Sequence, residues 1–161
     1  MKGHKVIAVV GMPGAGKGLV SNTARDHGIP VLVCGDIVRE ETERRGLSPT
    51  PDNTGRVMLS IREEEGPAVV AERLIPKIES SSSRRVVVEG VRSMSEVDAL
   101  RRRHSVTIIA VHASPRTRYD RLVKRARSDD PKTWDDFLER YSRELGVGIG
   151  DVIALAEQML V

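Results

Sequence analysis

Aromatic side chains are almost missing from this sequence. Phenylalanine, tyrosine and tryptophan make up 2% of its 161 residues, and the four of them (Tyr119, Trp134, Phe137, Tyr141) all fall late in the chain. The core must therefore be aliphatic. A base-stacking platform for single-stranded nucleic acid also lacks its material, so nucleic acid is not an expected partner. Cysteine is scarcer still. Cys34 stands alone, which excludes an internal disulfide framework and fits a reducing, cytoplasmic setting. No apolar run approaches the roughly 18 residues of a membrane span. The first apolar segment is too short for a secretory signal and leads straight into glycines. His4, His27, His104 and His112 are scattered without zinc-ligand spacing and read as structural or surface residues. Neither sign of charge dominates, with 26 basic and 23 acidic residues for a net +3. Within the basic set, though, 20 are arginine and 6 lysine. Arginine's planar fork suits phosphate, although most of these residues read as solvated surface.

The length allows one sizeable core and is too short for two ordinary domains. Its organising stretch is Val6-Ile7-Ala8-Val9-Val10 followed by Gly11-Met12-Pro13-Gly14-Ala15-Gly16-Lys17-Gly18. Five apolar residues read as a strand buried on both faces. The glycines let successive backbone N–H groups point inward, making an anion nest at the positive end of the helix that follows. Gly11, Gly16 and Lys17 keep the G-x-x-x-x-G-K spacing, and Lys17 adds a full charge that can follow phosphate oxygens. A hydroxyl is missing at the next position. Gly18 and Leu19 stand where Ser or Thr would ligate magnesium, so the ion would be held through water by acids elsewhere.

Along the chain, strands at 31–34, 85–89, 106–111 and 158–161 alternate with helices. The helices read as 17–27, 37–45, 50–65, 68–79, 93–103, 116–126, 130–145 and 151–157. That alternation predicts an α/β fold with a parallel sheet and right-handed crossovers. Ligands bind such sheets at the carboxyl ends of the strands. Those ends carry Gly11 to Lys17, then Gly35-Asp36, Glu89-Gly90 and His112. On the residues alone, Asp36 is equally an N-cap and Arg39 a surface residue. Glu89, an acid closing a buried strand, has fewer bland explanations, because an isolated buried carboxylate is costly. Cys34, at a strand end, reads as a small buried apolar residue. Gly146 to Gly150 lack a following lysine, so a second phosphate loop is not expected.

Gly11 to Gly18 resembles the loop of adenylate kinases and other nucleoside-monophosphate kinases, where glycine is usual after the lysine. Gly35-Asp36-Ile37-Val38-Arg39 resembles their monophosphate-binding element. Glu89-Gly90-Val91-Arg92 resembles their third-strand element, and Arg127-Ser128-Asp129-Asp130 their short lid. With Val111-His112-Ala113-Ser114-Pro115 and Gly148-Ile149-Gly150-Asp151, nearly the whole chain is similar to an archaeal adenylate-kinase-related P-loop family. The resemblance implies a three-layer P-loop NTPase fold: a five-stranded parallel sheet with helices on both faces. It also implies a monophosphate-binding insert over about 36–79 and a lid over about 125–134. Family members continue after the last strand into a turn and helix that supply part of the base pocket.

The implied chemistry follows residue by residue. ATP and magnesium would lie over 11–18, with Lys17 acting in transfer. Asp36 and Glu89 would hold magnesium through water. Arg39 and Arg92 would take the phosphate of an acceptor such as AMP. Arg125, Arg127 and Arg140, with Arg121 nearby, would close over the transferring group. One alternative is phosphorylation of a hydroxyl, as in dephospho-coenzyme A kinases, with Asp36 as base. Another is a nucleotide-gated binding protein with weak ATPase activity.

Overall fold

The computed structural model describes residues 3–161. Its sheet contains β1 (Lys5–Val10), β2 (Val31–Val33), β3 (Arg85–Glu89), β4 (Ser105–Val111) and β5 (Gln158–Leu160). All neighbours pair in parallel, in the order β2-β3-β1-β4-β5. Alternation along each strand divides the core. Val6, Ala8 and Val10 with Val86 and Val88 face the larger cluster, while Val9 and Val87 face the smaller. Burial on both faces is why these strands read as unbroken apolar runs. On the smaller side, α1 (Lys17–Asp26) contributes Ala24. The other side is covered by α2 (Cys34–Arg44), α3 (Pro51–Glu65), α4 (Val69–Glu79), α5 (Met94–Arg103) and α8 (Ile149–Ala154). The result is the expected α/β P-loop kinase-like fold. Two further helices, α6 (Pro115–Arg125) and α7 (Trp134–Val147), bracket the loop at 126–133.

The caps explain most boundaries. Thr50 accepts a hydrogen bond from the Asn53 amide ahead of Pro51, and Ser114 accepts one from Thr117 ahead of Pro115. Ser93 caps α5 by accepting from the Glu96 amide, but the Glu96 side chain does not return a bond to the Ser93 amide. It is fully buried, accepts from the Arg92 amide and pairs with Arg62 at 2.6 Å.

Several boundaries differ from expectation; α7 runs on to Val147 and α8 ends at Ala154. The second strand ends at Val33, and α2 begins at Cys34 because that buried side chain already packs in the core. Burial also pushes the Cys34 thiol pKa far up, so it behaves as the apolar filler its position suggested. The helix expected from Asp130 starts at Trp134, where Thr133 and Asp136 form a reciprocal capping box. Finally, α8 starts early, at Ile149, straight after Gly148 in a left-handed turn (φ 107°).

The residue that anchors α2 is Glu41. This buried carboxylate receives Arg44 at 2.7 Å, Arg45 at 2.8 Å and Arg73 of α4 at 3.0 Å. Those guanidinium hydrogen bonds hold its pKa far below the usual carboxylate range. α2 carries Arg39, so the network fixes the helix that presents that side chain to the site.

Candidate active site

The loop between β1 and α1 is held by its backbone surroundings. Gly14 has φ 79° and Gly16 φ 108°, both left-handed, and the Ala15 amide donates to the Met12 carbonyl at 3.0 Å. Arg121 of α6 donates to the carbonyls of Ala15 (3.0 Å) and Gly14 (3.3 Å) from the outside. α1 begins without a side-chain cap and without an acid in its first turn. Its positive end is therefore left for an anionic ligand. Lys17 Nζ donates to the Gly11 carbonyl at 2.7 Å and the Met12 carbonyl at 3.2 Å. Burial, then the neighbouring Arg92, lower its pKa to about 8.

Two clefts meet at this loop, and a third adjoins the middle one through shared side chains. The middle one is lined by Gly11, Pro13, Gly14 and Lys17, with cations Arg39, Arg92, Arg125, Arg127 and Arg140 and carboxylates Glu89, Asp129 and Glu144. A second cleft, of about 280 Å³, shares Gly14, Lys17, Glu89, Arg125 and Arg127 with it and adds Gly18, Leu19 and Arg121. A third shares Arg39, Arg92, Asp129, Arg140 and Glu144 and adds Thr54, Gly55, Met58 and Arg143. Every arginine singled out from the sequence thus lines one of these clefts. The middle cleft gathers six cationic side chains against three carboxylates, so its field favours an anion.

The arginines differ in how they are held. Arg92 is ion-paired with Glu144 at 2.5 Å. Burial would lower the Arg92 pKa, but Glu144 overcomes it and holds it above the usual value. Burial would likewise raise the Glu144 pKa, and Arg92 with Arg140 hold it below the usual carboxylate range. Arg39 reaches Asp36 at 2.5 Å and Asp129 at 3.4 Å. Arg125 grips Asp130 through two nitrogens, at 2.8 and 2.5 Å. Arg140 donates to the Asp129 carbonyl at 2.9 Å and lies 3.5 Å from Asp130. Arg127 is exposed and makes no side-chain ion pair among the described residues.

Asp36 is placed differently. It is exposed on the first turn of α2, and none of the three clefts is lined by it, although Gly35 and Arg39 beside it line two.

Sequence reasoning missed four contributors. Glu144 and Arg143 lie on α7, which reads as a solvated helix until β3 brings Arg92 against it. Asp129 stands in the lid-like motif, but its partner Arg39 is 90 positions away. Ser21 carried the clearest signal, since it lies four residues after Lys17 on the same helix face. It is fully buried and donates to the Glu89 carboxylate.

A magnesium ion accompanying a nucleotide fits this donor set at one point. Glu89 lines both loop-flanking clefts, and among the described residues no three His, Cys, Asp or Glu side chains converge into a cage. Such an ion would take its remaining ligands from phosphate and water, as magnesium commonly does.

Two expectations follow from these charges. A lysine whose pKa is depressed by folding binds fewer protons in the folded than in the unfolded chain between pH 8 and its usual value. Ligand-free stability should therefore rise with pH through that window, which starts at about 8 for Lys17. A phosphate tail restores the charge, so nucleotide binding at about pH 9 should take up roughly one proton, and almost none at about pH 6.5. Calorimetry in buffers of different ionisation enthalpy measures this, and equal uptake at both pH values would contradict it. The second expectation concerns Glu144→Gln, which leaves the buried Arg92 without its paired carboxylate. It should cost about 3 kcal/mol in urea unfolding. Added inorganic phosphate should recover more stability in the variant than in the parent.

The fold and the loop with its cationic cleft define a P-loop protein of kinase-like architecture. A family model described as "AAA domain" matches residues 10–137. The chain belongs to the UPF0200 protein family. It is 53% identical to the UPF0200 protein of Hyperthermus butylicus over 97% of this chain and 84% of that one. It is 48% identical to the Pyrococcus horikoshii relative over 97% and 87%. Shikimate kinase from Acinetobacter baumannii, solved in complex with shikimate, superimposes with a TM-score of 0.60 at 16% identity. That match covers 99% of this chain and 84% of that one. The Bacteroides thetaiotaomicron shikimate kinase gives 0.59 at 16% identity, over 96% and 85%. At these identities the structures share the fold. No helix of the described residues is long and apolar enough to cross a membrane.

Proposed function

We propose that the protein is an ATP- and magnesium-dependent phosphotransferase whose acceptor is a nucleoside monophosphate of the AMP type. The observation that carries this reading is the sharing of side chains between clefts. The middle cleft has Lys17, Arg125 and Arg127 in common with the cleft beside α1, and Arg39, Arg92 and Arg140 in common with the cleft beside α3. A donor tail over residues 11–18 and an acceptor phosphate at Arg39 and Arg92 would then meet in the middle. Residues 36–79 act in this reading as the acceptor-binding insert and 125–134 as the lid.

The chemistry needs no general base. An acceptor phosphate oxygen forms the new bond to the γ-phosphorus while the bond to the β–γ bridging oxygen breaks, and ADP departs with that oxygen. Magnesium, when bound, shields the phosphate oxygens from one another. This chain orients both phosphates through the loop amides, Arg39 and Arg92, and stabilises the charge passing between them through Lys17, Arg127 and Arg140. Lys17 must leave the carbonyls of Gly11 and Met12 to do so, exchanging two neutral acceptors for a charged one.

Phosphorylation of a hydroxyl would need a base. Asp36, the one the sequence suggests, is paired with Arg39 and lines none of the three clefts. Incubation with γ-labelled ATP, magnesium and a panel of monophosphates plus dephospho-coenzyme A tests the assignment. Labelled nucleoside diphosphate is expected. Labelled coenzyme A, abolished by Asp36→Asn, would replace this reading with the hydroxyl one. Slow release of free phosphate independent of acceptor would replace it with a nucleotide-gated binding role.

A further inference from the structure

Three carboxylates line the middle cleft at the loop, and two of them are neutralised by arginine: Asp129 is paired with Arg39, and Glu144 with Arg92. Glu89 is the exception: among the described residues its hydrogen bond comes from a neutral donor, the Ser21 hydroxyl. A neutral donor fixes a carboxylate in place without cancelling its charge. Ser21 has no solvent exposure, and it lies one helical turn beyond Lys17, so the helix that ends in the anion nest also carries the donor that aims Glu89. Among the described residues no hydrogen bond engages the other Glu89 oxygen, Oε1, and Glu89 borders both loop-flanking clefts. Gly18 supplies no hydroxyl next to the lysine.

We propose that Ser21 is the positioning residue for Glu89, and that through it α1 sets the geometry by which this site accepts magnesium with its nucleotide. The inference rests on the phosphotransferase reading above. It differs from a ligand role for Ser21, whose hydroxyl is spent on Glu89. Residues that orient a metal-facing ligand typically change metal affinity by about 10-fold or more when removed.

The test is ADP binding by calorimetry, with magnesium and with EDTA, for the parent, Ser21→Ala, Glu89→Gln and the double variant. Magnesium should tighten ADP binding to the parent, and Ser21→Ala should lose about 10-fold of that tightening. Its affinity for metal-free ADP should stay at the parent value, which also shows that the loop is still folded. Glu89→Gln should lose at least as much, and the double variant no more than Glu89→Gln alone. If Ser21→Ala keeps the full magnesium effect, or weakens metal-free ADP equally, Ser21 does not position a metal-facing group. A parent that binds ADP equally with and without magnesium overturns the inference while leaving nucleotide binding intact. A parent that binds no ADP overturns the phosphotransferase reading and the inference with it.

Discussion

Gly14→Ala is expected to weaken nucleotide binding about a thousandfold, equivalent to roughly 4 kcal/mol, while the strands of the sheet stay folded. Two costs coincide at this residue. Its φ of 79° is left-handed, which costs a residue with a Cβ about 1–2 kcal/mol. An added methyl would also lie 2.5 Å from the carbonyl oxygen of Arg118 and 3.1 Å from its carbonyl carbon. Both are backbone atoms of α6, and α6 cannot retreat freely. The Arg118 side chain donates to Ala113 at 3.0 Å and stacks over Phe137 at 5.4 Å and Tyr141 at 5.0 Å, which tie it to α7. Overpacking of this kind costs about 1–3 kcal/mol more. The loop, built from backbone amides with no packed side chain of its own at this position, is the part that yields. Calorimetry with ADP alongside circular dichroism checks it, and parent-like affinity would show that the amides at 13–16 do not form the cradle. Gly18→Ala is the matched control, since a methyl there meets nothing within 4 Å.

Arg127→Ala should lower kcat for phosphoryl transfer by about 100- to 1000-fold with ADP affinity changed less than about threefold. Arg39, Arg92, Arg125 and Arg140 already give hydrogen bonds to carboxylates or backbone, so part of their charge is offset before any ligand arrives. Arg127 is exposed on the loop after α6, its backbone amide fixed by Asp130 at 3.0 Å and its guanidinium outside any ion pair among the described residues. It can therefore meet charge that develops only during transfer. Asp130 also holds Arg125, so a single buried acid shapes the base of this loop. Steady-state kinetics on Arg127→Ala and Arg127→Lys separates charge from fork geometry. A change in KM with kcat unchanged would assign Arg127 to binding alone.

The parts of the molecule legible in the sequence are those whose cause is local. β1, the glycines and α1 follow one another without a break, and the caps at Thr50, Ser93 and Ser114 act within three residues. Strand exits were informative for the same reason: in a parallel sheet every exit lies at one edge, so Lys17 and Glu89 could be placed together from their positions alone. What stayed hidden were the partners. Ser21 reaches Glu89 across 68 positions, Arg92 reaches Glu144 across 52, and Arg39 reaches Asp129 across 90. No local pattern separates a glutamate that neutralises a buried arginine from one on a solvated helix. Asp36 shows the converse. Its motif is recognisable, yet α2 begins two residues before it, and the first turn carries its carboxylate outside the cleft lining. The start of α2 is set by where Cys34 finds its core, a tertiary effect that capping rules do not contain.

A crystal structure of the protein with magnesium and a non-hydrolysable ATP analogue bears most directly on all of this. The account predicts the β- and γ-phosphates against the amides of residues 13–17, Lys17 Nζ withdrawn from the Gly11 and Met12 carbonyls onto phosphate oxygen, and Arg127 turned inward above them. Phosphates bound elsewhere, with Lys17 still on those two carbonyls, would contradict it.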